Sequence, residues 1–299
     1  MNKRSPIQGA VIGQYFTLYD GVSKQKYQKV VAAAPFEKCN LLILAFVGTF
    51  TIDRSSDEGG PIHVVQVANG RDPGTFPINP NDTDGDRIKL IVETARKKNP
   101  SINILISLGY NNEDLEKAAS TPVAFADSVR AVVQAYDLNG FDIDFENTDV
   151  KTSAMVRLAK EIRRSLNKIP SKRPMIMTIT PAQDGLRLNK KVLEQSTYIM
   201  PQTYFHGGDG TDFANATWFA DQLHDRYTRI VYGLNSEGFL DRPRKVRPDD
   251  PKKSADEAKK NRAAGIFAWR LNGDSVKQGF PTFADAVEMW KLMNRQFPT

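Results

Sequence analysis

Asn139-Gly140-Phe141-Asp142-Ile143-Asp144-Phe145-Glu146 alternates apolar residues with acids over its last six positions. Side chains on a strand point to opposite faces in turn, so Phe141, Ile143 and Phe145 share one face and Asp142, Asp144 and Glu146 the other. A half-exposed strand whose acids face water, or serve as structural acceptors, would read the same way. The Phe-Ile-Phe face, however, needs apolar cover. Helices outside a closed parallel barrel supply it, which leaves the acids only the barrel interior. There the carboxylates step along the strand by about 7 Å, with Glu146 nearest the catalytic end. They cannot all ionise cheaply, so protons are shared and pKa values are driven apart, as acid–base catalysis near neutral pH requires. A divalent-metal site is the other chemical reading, but three acids on one strand make a poor cage without ligands from elsewhere. His206 follows a strand candidate, whereas His63 falls on a loop or hairpin and His224 on a helix. No metal is expected.

Working outward, seven more β-rich segments recur: Val11–Phe16, Asn40–Val47, Ile102–Leu108, Met175–Thr180, Tyr198–Tyr204, Arg229–Leu234 and Gly265–Leu271. Amphipathic helices lie between several of them. Thr121-Pro122 offers a cap and a first-turn proline for a helix running to Leu138. Thr152 begins another, to about Lys168, with Met155, Leu158, Ala159, Ile162 and Leu166 as its stripe. Asp84 or Asp86 caps Ile88–Lys98, and a last helix runs from about Thr282 to Arg295. Strands alternating with helices predict an α/β chain folded as one (β/α)8 TIM barrel over residues 1–299. The polar segments Asp57–Gly60 and Asn69–Asp86 predict a large loop at the carboxyl face, with a small hairpin through His63–Val67.

Composition narrows the rest. With 299 residues, 40% hydrophobic and 25% charged, the chain is an ordinary globular one and neither collagen-like nor disordered. Lys plus Arg (41) against Asp plus Glu (35) leaves +6. The densest basic stretches, Arg242–Arg247 and Lys252–Lys260, are interleaved with Pro, Asp or Glu, so no nucleic-acid groove is expected. The longest apolar run, Leu41–Val47, is too short to span a bilayer, and no membrane partner is expected. Cys39, the single cysteine, allows no intrachain disulfide and reads as a buried inert thiol. Without a signal-peptide pattern after Lys3-Arg4, a cytoplasmic setting is the expectation, a trimmed secreted protein being the alternative. The glycine-rich stretch His206–Gly210 lacks a following Lys-Ser/Thr and reads as an active-site loop, not a phosphate cradle. Asp82–Gly85 reads as a turn capping the next helix, since a calcium loop aligned on Gly85 would put Pro80 and Ile91 at ligand positions.

The chain resembles family 18 of the glycoside hydrolases, the chitinases and related endo-N-acetylglucosaminidases. Gly140–Glu146 matches that family's D-G-x-D-x-D-x-E signature, with Asn139 in place of its first Asp. Ser107-Leu108-Gly109-Tyr110 is similar to its S-x-G-G segment, with Tyr110 in place of the last Gly. Met200-Pro201-Gln202-Thr203-Tyr204 resembles its Gln/Met-x-Tyr segment, and Trp269 stands where the family places the floor of its sugar site.

The resemblance implies retaining hydrolysis in which the substrate's 2-acetamido group is the nucleophile. Glu146 would be the acid and then the base, Asp144 would orient the acetamide, Asp142 would hold the shared proton, and Tyr204 would donate to the acetamide oxygen. Trp269 would stack beneath the reacting sugar, with Gln202, Tyr15, Met200 and Tyr110 as further lining. No cofactor is implied. The expected partner is a glycan containing N-acetylglucosamine, such as chitin, bound by a monomer. Asn139 removes a charge behind the acids, and Tyr110 puts a ring where a glycine would let backbone approach. About thirty residues separate the last two strand candidates, too few for an extra α+β domain, which predicts an open cleft and endo cleavage. Two alternatives stand: cleavage of the chitobiose core of N-glycans, and a catalytically silent lectin.

Overall fold

The structure, a computed structural model, describes residues 6–19, 23–67, 84–109, 112–146, 149–171, 174–182, 188–204, 212–223, 226–237, 249–274, 276–277 and 279–294. In chain order the elements are β1 (Val11–Thr17), α1 (Lys24–Ala33), β2 (Leu41–Ile52), β3 (Ile62–Gln66), α2 (Asp84–Lys98), β4 (Asn103–Leu108), α3 (Asn112–Ser120), α4 (Pro122–Ala135) and β5 (Gly140–Phe145). The second half comprises α5 (Thr152–Leu166), β6 (Ile176–Pro181), α6 (Lys190–Leu193), β7 (Tyr198–Ile199), α7 (Ala214–Asp221), β8 (Val231–Asn235), α8 (Pro251–Lys260), β9 (Gly265–Trp269) and α9 (Ala284–Asn294). The strands run β7-β6-β5-β4-β2-β1-β9-β8, all neighbours parallel, and a single parallel bridge from Ile199 to Ile230 closes the ring. This is the eight-stranded α/β barrel that the alternating pattern predicts, and among the described residues one helix, α8, stands between β8 and β9.

The alternation along β5 sorts as the sequence implies. Phe141, Ile143 and Phe145 belong to the apolar layer between barrel and helices, where Phe141 meets Phe125 of α4 edge-on at 6.1 Å. A separate cluster fills the interior, including Val11, Tyr15, Leu41, Ile43, Leu105, Ile176, Tyr198 and Phe267. Cys39 is buried, and burial pushes its thiol up to about 12, so it is inert.

Three polar residues set the register at the strands' amino ends. Asn40 Oδ1 accepts from the Ile12 amide at 2.8 Å, Asn139 Oδ1 from Ile104 at 2.9 Å, and Thr197 Oγ1 from Met177 at 3.1 Å. Each precedes one strand and receives an N–H from its neighbour. Asn139 is thus a register clip and not part of the proton-sharing chain behind the acids. A carboxamide oxygen accepts this bond as a carboxylate would, and three residues of strand, about 10 Å, separate Asn139 from Asp142, the nearest of the acids.

β2 outruns the barrel. Its first half pairs with β1 and β4, and Gly48–Ile52 turns to pair antiparallel with β3. The predicted hairpin is therefore real, though the preceding strand is longer than the apolar run suggests. Its free edge is covered from α4 and the residue before it: the amides of His63 and Val65 donate to Thr121 Oγ1 and Ser128 Oγ, each at 2.9 Å. Thr121 therefore serves β3 and makes no side-chain bond to its own helix. Residues 68–83 lie outside the described residues.

At the start of α9, buried Asp274 accepts from the amides of Asp285 and Ala286 at 3.3 and 3.0 Å. Burial, then the charges of Asp274, Asp249 and Asp250, raise the neighbouring Asp285 to about 7. That lies above the ordinary value near 4 of an unfolded chain. Asp285 therefore contributes stability that is present in full below about pH 4 and lost as pH rises through about 7. Asp285→Asn is expected to match the wild type near pH 4 and to raise Tm by about 2–4 °C at pH 8. Thermal melts at both pH values check this; an equal offset at both would contradict it.

Candidate active site

β5 carries Asp142 and Asp144 into the barrel and Glu146 just past its end. Asp142 and Asp144 are buried, and Glu146 is half-buried at the mouth. Four hydroxyls surround the Asp142 carboxylate: Ser107 Oγ at 2.6 Å, Tyr15 Oη at 2.9 Å, Thr178 Oγ1 at 2.5 Å and Thr180 Oγ1 at 3.0 Å. Tyr15 Oη also lies 2.7 Å from Thr180 Oγ1, linking the contacts into one network across β1, β4, β5 and β6. Burial raises the Asp142 carboxyl while the hydroxyls oppose the shift, and burial prevails.

Asp144 sits in a harsher place. Burial, then the negative charges of Glu146 and Asp142, hold its carboxyl well above the usual range. Asp144 hydrogen-bonds to Glu146, and the Gln202 amide spans the two, Nε2 donating to Asp144 Oδ1 at 2.8 Å and Glu146 Oε1 at 2.6 Å. Asp144 therefore keeps its proton where a surface carboxylate would have lost it. Backbone approach makes room for it: a Cβ on Gly109 would lie 2.3 Å from Asp144 Cβ and 2.7 Å from its carbonyl oxygen.

Tyr204 is buried against Phe267, 6.1 Å between ring centroids. Its phenol is raised well above 10 by burial first and then by Asp144, Glu146 and Glu237, so it stays a protonated donor. Gly233 leaves space for its ring, since a Cβ there would come within 2.9 Å of Tyr204 Cε1. Trp269, partly exposed, closes the other side. It lies 5.4 Å from Tyr15 and stacks on Phe46 at 5.7 Å, and Phe46 in turn stacks on Tyr19 at 6.3 Å. The peptide bonds Ala45–Phe46 and Trp269–Arg270 are cis.

The fold thus brings together Asp142, Asp144, Glu146, Tyr15, Gln202, Tyr204 and Trp269. Met200 is wholly buried in the interior cluster beneath them. Tyr110 lies outside the described residues, as does His206–Gly210. Sequence reasoning missed Phe46, Tyr19, Thr178 and Thr180, and it read Gln202 as pocket lining when it bridges two acids. Thr178 and Thr180 had a signal: two hydroxyls spaced by two in an otherwise apolar strand. Phe46 had none, because it lies within an apolar run like any core residue. Among the described residues, no group of three or more His, Cys, Asp or Glu side chains could hold a metal ion.

A buried, protonated acid hydrogen-bonded to a half-buried one, a protonated phenol and a partly exposed indole at one barrel mouth can protonate a leaving oxygen and seat a sugar ring. No curated protein matches the sequence. The fold is similar to that of a chitinase from Bacteroides thetaiotaomicron at 18% identity and a TM-score of 0.68, covering 97% of this chain and 98% of that one. A family 18 chitinase from Flavobacterium johnsoniae gives 16% identity and 0.63 over 96% and 94% of the two chains. The Cycas revoluta family 18 chitinase in complex with (GlcNAc)3 gives 15% and 0.65 over 96% and 99%. The model of glycosyl hydrolases family 18 matches residues 11–237, from the start of the first strand to just beyond β8, and the chain belongs to that family.

Proposed function

We propose that this glycoside hydrolase cuts β-1,4-linked N-acetylglucosamine glycans, chitin and its oligomers, internally and with retention, using the substrate's acetamido group as nucleophile. The observation that carries this is the Gln202 bridge: a raised Asp144 is hydrogen-bonded to Glu146 and held against it at the mouth, beside a phenol and an indole. As the acetamide enters, its N–H engages Asp144, whose proton passes to Glu146. Glu146 then protonates the glycosidic oxygen while the acetamide oxygen bonds to C1, and the aglycone leaves as an alcohol. The cyclic oxazolinium that results carries positive charge, which Asp144 offsets. Tyr204 holds the acetamide oxygen in line through its O–H. Water next attacks C1; Glu146 takes its proton and the ring opens, which restores the starting state with the same anomeric configuration. Asp142, inside its hydroxyl cage behind Asp144, helps to raise the Asp144 carboxyl and so tunes the group that holds the proton. A chain in complex with (GlcNAc)3 is known for the similar Cycas revoluta chitinase, which supports the choice of sugar. The short passage from β8 to β9, with α8 alone as a described helix, supports an open cleft and endo cleavage.

Hydrolysis of fluorogenic chitobioside and chitotrioside, run beside a defined N-glycan, tests the reading. Turnover of the chitosides is expected, with a mixture of product lengths from longer chitooligosaccharides. Stepwise release of one disaccharide from chain ends would overturn the endo assignment. Cleavage of the N-glycan alone would move the substrate to the chitobiose core, and binding without turnover of either would make the protein a lectin.

A further inference from the structure

The β2–β3 hairpin has two unlike faces. Antiparallel pairing sets Thr49 opposite Val65 and Thr51 opposite His63 on one of them. On the other, Gly48 stands opposite Gln66, Phe50 opposite Val64 and Ile52 opposite Ile62. The first face is held down. Val65 is buried in the apolar layer, Thr51 Oγ1 lies 3.0 Å from His63 Nδ1, and Asp114 Oδ1 of α3 accepts from the Thr49 amide and hydroxyl at 2.9 and 2.5 Å. The second face is apolar and open: Phe50 is 53% and Ile52 40% exposed, with Ile62 and Val64 half-buried beside them. Among the described residues, Val123 is the one other large apolar side chain so exposed.

This open face continues the wall of the sugar site. Inside the barrel, Leu41, Ile43 and Ala45 point to the interior. Between Ala45 and Val47 the pairing with β4 shifts, so that Phe46 turns in against Trp269 while Val47 returns to the outer layer. Gly48, Phe50 and Ile52 therefore carry the inward side past the rim. Phe50 stands four residues beyond Phe46, about 13 Å of strand, which is further than one sugar ring reaches. The step between the two rings is bare, and polar groups flank it: Asp114 Oδ2 and Gln66 Oε1 lie 3.6 and 3.8 Å from where a Cβ on Gly48 would be. A rigid ring suits the apolar face of a pyranose, and a few fixed polar groups beside an apolar strip are the make-up of a ligand groove. Two exposed and two half-buried side chains fall well short of the roughly 800 Å² per partner that a stable dimer needs.

We propose that this strip is a second glycan-binding site, beyond the pocket of the reacting sugar, which holds the N-acetylglucosamine chain past the mouth with Phe50 as its stacking platform. The choice of sugar rests on the reading given above. Calorimetric titration of chitohexaose into Glu146→Gln is compared with the same titration into Glu146→Gln/Phe50→Ala. Kd is expected to rise about three- to tenfold, the worth of one aromatic stack, and Phe50→Trp to keep it at or below its starting value. With Glu146 intact, Phe50→Ala lowers kcat/KM on chitohexaose by the same factor. On fluorogenic chitobioside, too short to reach the strip, kcat/KM stays within about twofold of wild type.

An unchanged Kd, or an equal loss on both substrates, overturns the proposal. So does a wild type that sediments as a dimer which Ile52→Ser takes apart, since a second copy then covers the strip. The two readings fail separately. Turnover of chitobioside with no effect of Phe50→Ala on chitohexaose sinks the strip alone. A wild type that leaves every chitoside uncut yet binds chitohexaose, more weakly in Phe50→Ala, supports the strip and overturns the hydrolytic reading. A wild type that neither binds nor cleaves overturns both.

Discussion

Glu146→Gln is expected to lower kcat on chitotrioside by about 10³-fold or more while KM changes by no more than a few-fold. The substitution is close to isosteric, and its carbonyl oxygen still accepts the 2.6 Å bond from Gln202 Nε2, so the mouth keeps its shape. What disappears is the group that delivers a proton to the leaving oxygen. A second consequence separates this residue from a simple hydrogen-bond acceptor. The Glu146 charge ranks next after burial among the causes that raise Asp144. In the variant the Asp144 carboxyl falls back toward the ordinary range, and the residual activity loses the wild-type pH profile. Retention of more than a tenth of wild-type kcat, with an unchanged profile, would remove Glu146 from the acid role.

Gly109→Ala is the second large effect, and it reaches the same pair through the backbone. A methyl there would sit 2.3 Å from Asp144 Cβ and 3.0 Å from its Cα, so the main chain of β5 must yield. No rotamer relieves a contact with backbone, and overpacking of this kind costs about 3 kcal/mol. Because the displaced residue is Asp144, kcat is expected to fall about 100-fold even in the fraction that folds, as for a displacement of about 1 Å at a reacting group. Denaturant melts and kinetics on the same preparation check both parts. Near-native stability with full activity would show that β4 and β5 can separate without moving Asp144.

The barrel was legible because strand and helix periods differ and because β5 buries both of its faces in different ways. Phe125 against Phe141, and Asp142 inside the ring, are direct products of that alternation. Element ends were less legible. The predicted strand Tyr198–Tyr204 is regular only over Tyr198–Ile199, yet the amides of Met200 and Gln202 still donate to the Ile179 and Pro181 carbonyls of β6 at 2.8 and 2.9 Å, and this irregular continuation brings Gln202 and Tyr204 to the acids. A propensity reading cannot see this, since the same residues would suit a longer strand. Asn139 is the opposite case: a change in a motif that looks chemical proves structural, because the residue stands at the amino end of its strand.

The order of side chains along each strand, and hence which acids face inward, follows from local sequence, because alternation is a property of the extended chain. The contacts that tune those acids do not. Ser107, Thr178, Thr180 and Tyr15 come from three different strands, and Gln202 lies 56 positions from Glu146. Closing the ring decides such meetings. A carboxylate's proton affinity depends on the charges, dipoles and solvent within a few ångströms of it, and those neighbours exist only once the strands have been wound into a barrel.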